Sequence, residues 1–255
     1  MKRIFLIINL KTLIISILAV LSTYVCIRYS IIADFPLTLI ATAIIFPIVF
    51  SINGAYKRRE IALSKYSALK AHGRAIYFVT RDWLESPSQE TLDKSKNCLR
   101  DLFESTRKLF TGDSSNARKN EEGVYLAFSN LSKFIKNDLR GNGLASGEVS
   151  RCNQYLSKMF VSFEDAKHIH QYRTPRTLRT FSTVFISLLP ILYGPYFAHE
   201  ALQYSPYVTY VMPVLFALVL VSLSNIQDHL ENPFDGIGED DISINVEQFI
   251  ARLHD

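Results

Sequence analysis

The stretch FPLTLIATAIIFPIVFSINGAYKRRE, residues 35–60, decides the fold. From Phe35 to Ile52 it is apolar apart from Thr38, Thr42 and Ser51, and Lys57, Arg58 and Arg59 then close it. A helix that crosses a bilayer takes about 20 mostly apolar residues, within a tolerated range of about 17–25. Backbone embedded in lipid must satisfy its own hydrogen bonds, so such a stretch is a helix rather than a loop or an open strand. Cations directly at its end mark the cytoplasmic side.

Three further stretches read the same way: Ile4 to Ile27, Phe181 to Ala198 and Tyr207 to Leu223. Between the second and third spans lies Lys57 to Thr180, too charged to enter a bilayer. The expected fold class is therefore all-α, with four transmembrane helices and a cytoplasmic helical bundle inserted between spans two and three. The domain layout is a first transmembrane hairpin at 1–56, the helical region at 57–180, a second hairpin at 181–223 and an acidic tail at 224–255. Hydrophobic residues make up 48% of the chain and charged ones 20%. Their separation into blocks excludes an ordinary soluble domain.

Met1-Lys2-Arg3 and the apolar run behind it resemble a signal peptide, but Lys11 interrupts the run and no A-x-A-like site follows Ile27. A retained first span is expected. The positive-inside rule orients the rest. Lys2 and Arg3 precede span one, Lys57, Arg58 and Arg59 follow span two, and Arg173, Arg176 and Arg179 precede span three. The opposite connections carry only Arg28, Asp34 and Glu200. Both termini and the middle block are expected in the cytoplasm of a multi-pass protein of the cell (inner) membrane.

Within the middle block every apolar stripe has a period near 3.6, which calls for packed amphipathic helices. One continues span two to about Trp83, with Gly73 as a weak point. Ser86-Pro87-Ser88-Gln89 reads as a capped start for the next, with proline at the first helical position and Gln89 closing a capping box. That helix stops at Gly112. A third carries Val124, Phe128, Leu131 and Ile135 and ends at Gly141. A fourth carries Val149, Cys152, Leu156, Met159 and Phe163. The cysteines, Cys26, Cys98 and Cys152, show no CxxC spacing, so they signal neither a zinc site nor a disulfide framework.

Charge is segregated as well. Residues 57–180 hold 23 Lys and Arg against 14 Asp and Glu, a difference of +9, whereas the stretch from Ser224 onward holds eight acids against one Arg. This predicts that the tail lies on the basic body or binds a cation. A basic body could also concentrate anions near a pore.

The end of span two is the most specific local pattern. Asn53, Tyr56 and Arg58 follow the apolar run, and Thr42, Phe46 and Phe50 are spaced four apart on one helix face. Around a symmetry axis such positions form stacked rings, and apolar rings gate by dewetting. After span four comes Glu231-Asn232-Pro233-Phe234-Asp235-Gly236-Ile237-Gly238-Glu239-Asp240-Asp241. Thr174-Pro175 leads into span three. In these motifs, and in the order of spans, helical block and Asn-Pro-Phe acidic tail, nearly the whole chain resembles the bestrophins, a family of pentameric anion channels.

The resemblance implies that Asn53, Tyr56 and Arg58 match the family's Asn-x-x-Tyr-x-Arg pattern. It places Thr42, Phe46 and Phe50 at the pore neck, with Thr42 where the family is apolar. It implies a homo-oligomer of five copies that conducts chloride or other small anions. Family members from animals bind calcium at the acidic segment, where Asn232, Glu239, Asp240 and Asp241 match in type. Calcium takes six to eight oxygen ligands, and these four could supply part of that shell. The segment does not have EF-hand spacing, and calcium is the only cofactor that the resemblance brings into question.

Nothing points to catalysis. His168 and His170 have no third ligand spaced to join them, and no phosphate-loop, dinucleotide, zinc-protease or nucleophile-elbow motif occurs. The apolar runs carry essentially no acids, which argues against proton-coupled transport. Partners are expected to be further copies of the chain, small anions and the bilayer, with no nucleic acid. The alternative is a membrane-anchored interaction scaffold or sensor without ion flux.

Overall fold

The computed structural model describes residues 8–172, 176–201, 206–236 and 241–253, and every regular element among them is a helix. In chain order these are α1 (Leu10–Arg28), α2 (Leu37–Phe78), α3 (Gln89–Thr111), α4 (Ala117–Phe134), α5 (Ser146–Gln171), α6 (Arg176–Leu192), α7 (Gly194–Glu200), α8 (Pro206–Thr209), α9 (Val211–Glu231) and α10 (Val246–Ala251). Four stretches are long and apolar enough to cross a membrane: Leu10–Arg28, Ile40–Trp83, Thr177–Glu200 and Val211–Glu231. The chain is a multi-pass membrane protein. Lys2, Arg3, Arg173 and Thr174-Pro175 lie outside the described residues.

The described residues form two compact units. The first runs to Arg59 and resumes from α6 to Asn232. The second comprises Glu60–Tyr172, Pro233–Gly236 and the chain from Asp241.

In the first unit, Asn9 caps α1 by a capping box: its Oδ1 accepts from the Thr12 N–H at 3.2 Å, and its own N–H donates to Thr12 Oγ1. Lys11 therefore sits in the first turn rather than interrupting the span. The core holds Ile15 and Ala19 of α1, Ile44 and Ile48 of α2, Ile186 and Leu189 of α6, and Ala217 and Leu220 of α9, closed by the buried rings of Tyr193 and Phe197. Span three is bent rather than continuous. Pro190 lies inside α6 and Pro195 opens α7, so Tyr193 breaks the helix between them. Gly194 then lies against α1 so closely that an added Cβ would come within 3.1 Å of the Ser22 backbone. Span four continues past its apolar run to Glu231.

In the second unit, α3, α4 and α5 close a core with the later part of α2. Tyr66, Leu69, Leu99, Phe103, Leu131 and Phe163 are all buried in it. Gly73 does not weaken α2. The helix passes through it, and the space a Cβ would take lies 3.3–3.5 Å from Met159, Leu99 and Phe103. The irregularity comes instead at Val79–Trp83, a π turn. Helix α3 starts two residues later than expected. Ser88, not Ser86, is the N-cap, and its Oγ accepts from the Thr91 N–H at 3.1 Å. The reason is local: Thr91 closes the turn that Gln89 was expected to close, with its hydroxyl 2.8 Å from that of Ser88. Gly112 ends the helix as expected.

The tail is part of this second core. Ile242, Ile244, Val246, Phe249, Ile250 and Leu253 are buried, and the Phe249 ring centroid is 4.4 Å from that of Phe103. Charge was the expected basis for docking, but apolar burial carries it. Arg100 lies 3.8 Å from Glu247 of the tail, but that carboxylate is largely exposed and the pair is worth little.

Candidate functional site

The candidate site is the face of α2 that the first unit leaves uncovered. Ala41, Ile44, Ile48, Ser51 and Ala55 point into the protomer and are buried. Thr42, Phe46 and Phe50 point away from it. Phe46 is 61% exposed and Phe50 58%. Helical periodicity produces this division, because positions four apart stack on one face. Among the described residues, the two phenylalanines therefore leave their outer faces uncovered by their own chain. They pack on each other, with ring centroids 4.7 Å apart and planes at 80°. Thr42 spends its hydroxyl on its own helix, donating to the Thr38 carbonyl at 2.6 Å. Pro47, between the rings, removes the N–H that would have bonded to the carbonyl one turn earlier.

Asn53 and Tyr56 continue on the exposed surface, and Arg58 is half-buried. The structure thus keeps Thr42, Phe46, Phe50 and Asn53 together along one side of the helix. Arg58 lies about 160° around from Thr42 at ~100° per residue and does not share that face.

A polar cluster at the start of α1 and α6 and the end of α9 was not anticipated. Lys11 Nζ donates to Ser224 Oγ at 3.3 Å, and Asn225 Nδ2 donates to Thr12 Oγ1 at 3.4 Å. Arg179 Nη1 lies 3.2 Å from Glu231 Oε2, and the Glu231 side chain is only 2% exposed. Gln227 Nε2 donates to the other carboxylate oxygen at 3.4 Å. The pair links α6 to α9: Arg179 is 44% exposed, and the carboxylate it meets is the buried partner, which would be left without a cation if Arg179 were removed. The signal in the sequence is Gln227 and Glu231 spaced four apart behind an apolar run. Placing the end of span four at Leu223 hid it.

At the acidic segment, Asn232 is the buried residue that ends α9. Phe234 is buried in the second unit, 4.5 Å from the Phe110 ring and 6.5 Å from the His170 ring. The Ile242 N–H donates to the Pro233 carbonyl at 2.7 Å, which draws the two ends of the segment together. Asp241 is partly buried, whereas Glu239 and Asp240 lie outside the described residues. Among the described residues no three His, Cys, Asp or Glu side chains converge to hold a metal ion. His168 stacks towards Tyr172 and His170 towards Phe110, so neither histidine joins a cluster.

No protein-family model matches the chain, and no characterised protein sequence does. Solved structures do match. A mutated bacterial bestrophin homologue from Klebsiella pneumoniae superposes with a TM-score of 0.75 at 17% identity, covering 100% of both chains. A second mutated form of that homologue gives 0.75 at 18% identity over 99% of each chain. A third crystal structure of it gives 0.72 at 17% identity, covering 98% of this chain and 96% of the other. The chain has the bestrophin fold.

Proposed function

We propose that this chain, built on the bestrophin fold, assembles as a closed ring of five copies and conducts small anions along the α2 face that carries Thr42, Phe46 and Phe50. The observation that carries this reading is the uncovered Phe46–Phe50 pair on a helix whose opposite face is core. Four spans in one protomer enclose no useful pore, and cyclic symmetry with α2 at the axis does. Apolar rings there would dehydrate a passing ion and favour weakly hydrated anions over strongly hydrated ones. The basic residues of the second unit support an anion-attracting approach. Both termini are placed in the cytoplasm on the strength of Lys57, Arg58 and Arg59 at the end of the apolar run.

The acidic segment is the proposed place of calcium action, supported by the residue types of Asn232, Glu239, Asp240 and Asp241.

Purified protein in planar bilayers under a chloride gradient tests the reading. A reversal potential near that of chloride, altered by Phe46→Ala with Phe50→Ala, is expected. Reversal near the potassium potential would overturn the selectivity. Silence with and without calcium, from folded oligomer, would replace conduction by a membrane-anchored scaffold.

A further inference from the structure

A cavity of about 270 Å³ opens within the second unit, between α2 and the segment around α10. Its lining brings Lys70 and Arg74 of α2 together with Arg252, which ends α10, and among the described residues no carboxylate lines it. Lys70 feels the positive charge of both arginines. Its Nζ sits 4.6 Å from the Tyr66 ring centroid. Among the described residues none of the three cations forms an ion pair, and Arg74 Nε is buried with no hydrogen-bond partner. Elsewhere in this unit, the partly or fully buried Lys65 and Lys167 do meet carboxylates, Asp165 at 2.8 Å and Glu121 at 2.9 Å. Three like charges around one hollow repel each other, and a buried N–H without an acceptor carries an unmet desolvation cost. Packing holds them there, because Tyr66 and Phe249 on the walls are buried in the core.

We propose that this cavity is a binding site for a phosphate-bearing anion, which Arg74, Lys70 and Arg252 hold jointly. Guanidinium groups present forked N–H pairs that match phosphate oxygens, and the lysine adds a point charge. A singly charged halide would leave most of the cluster uncompensated, whereas a phosphate or diphosphate group neutralises it. Ser67 and Gln248 line the same hollow and can donate to the remaining oxygens. The volume is below the roughly 300–1,000 Å³ of pockets for drug-sized ligands, so it suits the anionic group and little more. Occupancy would tie the tail to α2. This site is independent of the conduction reading.

The test is thermal unfolding of the full-length protein at constant ionic strength, with pyrophosphate replacing chloride. Pyrophosphate is expected to raise the Tm where chloride does not. Half-saturation should weaken by roughly tenfold or more in Arg74→Gln and in Arg252→Gln, the loss of one charge-assisted contact, and stay unchanged in the exposed Lys136→Gln. Should an arginine variant fail to fold, Ser67→Glu supplies an internal carboxylate. It is expected to raise the resting Tm and abolish the response. Nanodiscs of phosphatidylcholine with and without phosphatidate separate the sources. A shift with phosphatidate that Arg252→Gln removes assigns the group to a lipid headgroup, and a shift with free pyrophosphate alone assigns it to a soluble ligand. Equal shifts with chloride and pyrophosphate, or a response that Arg74→Gln and Ser67→Glu leave intact, overturn the site. The readout is not a current, so a silent pore would not affect it.

Discussion

The rings of Phe46 and Phe50 meet edge to face on the side of α2 that its own protomer does not cover. Such a pair is worth about 0.5–1.5 kcal/mol beyond burial. Among the described residues it is the aromatic contact of span two that serves no core. Replacing both with alanine should therefore change ion flux strongly and monomer packing little. Single-channel conductance and circular dichroism of the double variant check the two halves of that statement. Unchanged conductance would remove these residues from the pathway.

Phe249 fixes the tail through its contact with Phe103. Phe249→Ala should cost about 3–5 kcal/mol, the usual range for emptying a buried aromatic site. Limited proteolysis should then cleave between Asp241 and Leu253 in the variant and spare the native protein. The exposed Glu247→Ala should leave both stability and cleavage nearly unchanged.

Lys167 is a buried cation, 11% exposed, lodged between Glu121 at 2.9 Å and Glu164 at 2.7 Å, and it donates to Tyr125 Oη at 2.6 Å. Burial works against its charge, but hydrogen bonds to Glu121, Glu164 and Tyr125 outweigh that and hold its pKa above the ordinary lysine value. The Lys167 hydrogen bond in turn holds the Glu121 carboxyl below the ordinary glutamate range. The Glu121 contribution is present above its unfolded pKa and is lost as pH falls through its folded value. The Lys167 contribution is present below its unfolded pKa and is lost as pH rises through its folded value. Lys167→Met should cost about 1.5–3 kcal/mol at neutral pH. In urea melts, the gap between native and Glu121→Gln protein should narrow on acidification below pH ~4. A gap independent of pH would rule out the pair as its cause.

Gly194 allows α7 to lie against Ser22 of α1, whose hydroxyl donates to the Ile191 carbonyl at 2.7 Å. Gly194→Ala should force the two helices apart and lower the Tm, while Gly54→Ala, with open space around its Cα, should not. Equal effects of the two substitutions would argue against the close approach.

Much of this architecture was legible along the chain. Apolar run length and end charge act over one helix, so the four spans and the helical block could be read without any contact. Gly112 ended α3 as its chemistry requires. Ser86 misled because two serines flank Pro87, and which of them caps depends on Thr91 one turn later. Glu231 was missed because hydropathy ends a span at the last apolar residue, whereas a helix ends where its partners stop holding it.

The sequence by itself determined which segments are helices and which of them suit a bilayer, since both follow from composition within about 20 residues. Only the tertiary structure decided that Ile48 is core while Phe46 and Phe50 are not, that apolar residues rather than charges dock the tail, and that Lys70 and Arg74 meet Arg252. Those outcomes depend on which surfaces face each other in space, and pairing between residues far apart in a chain leaves no periodic trace in it.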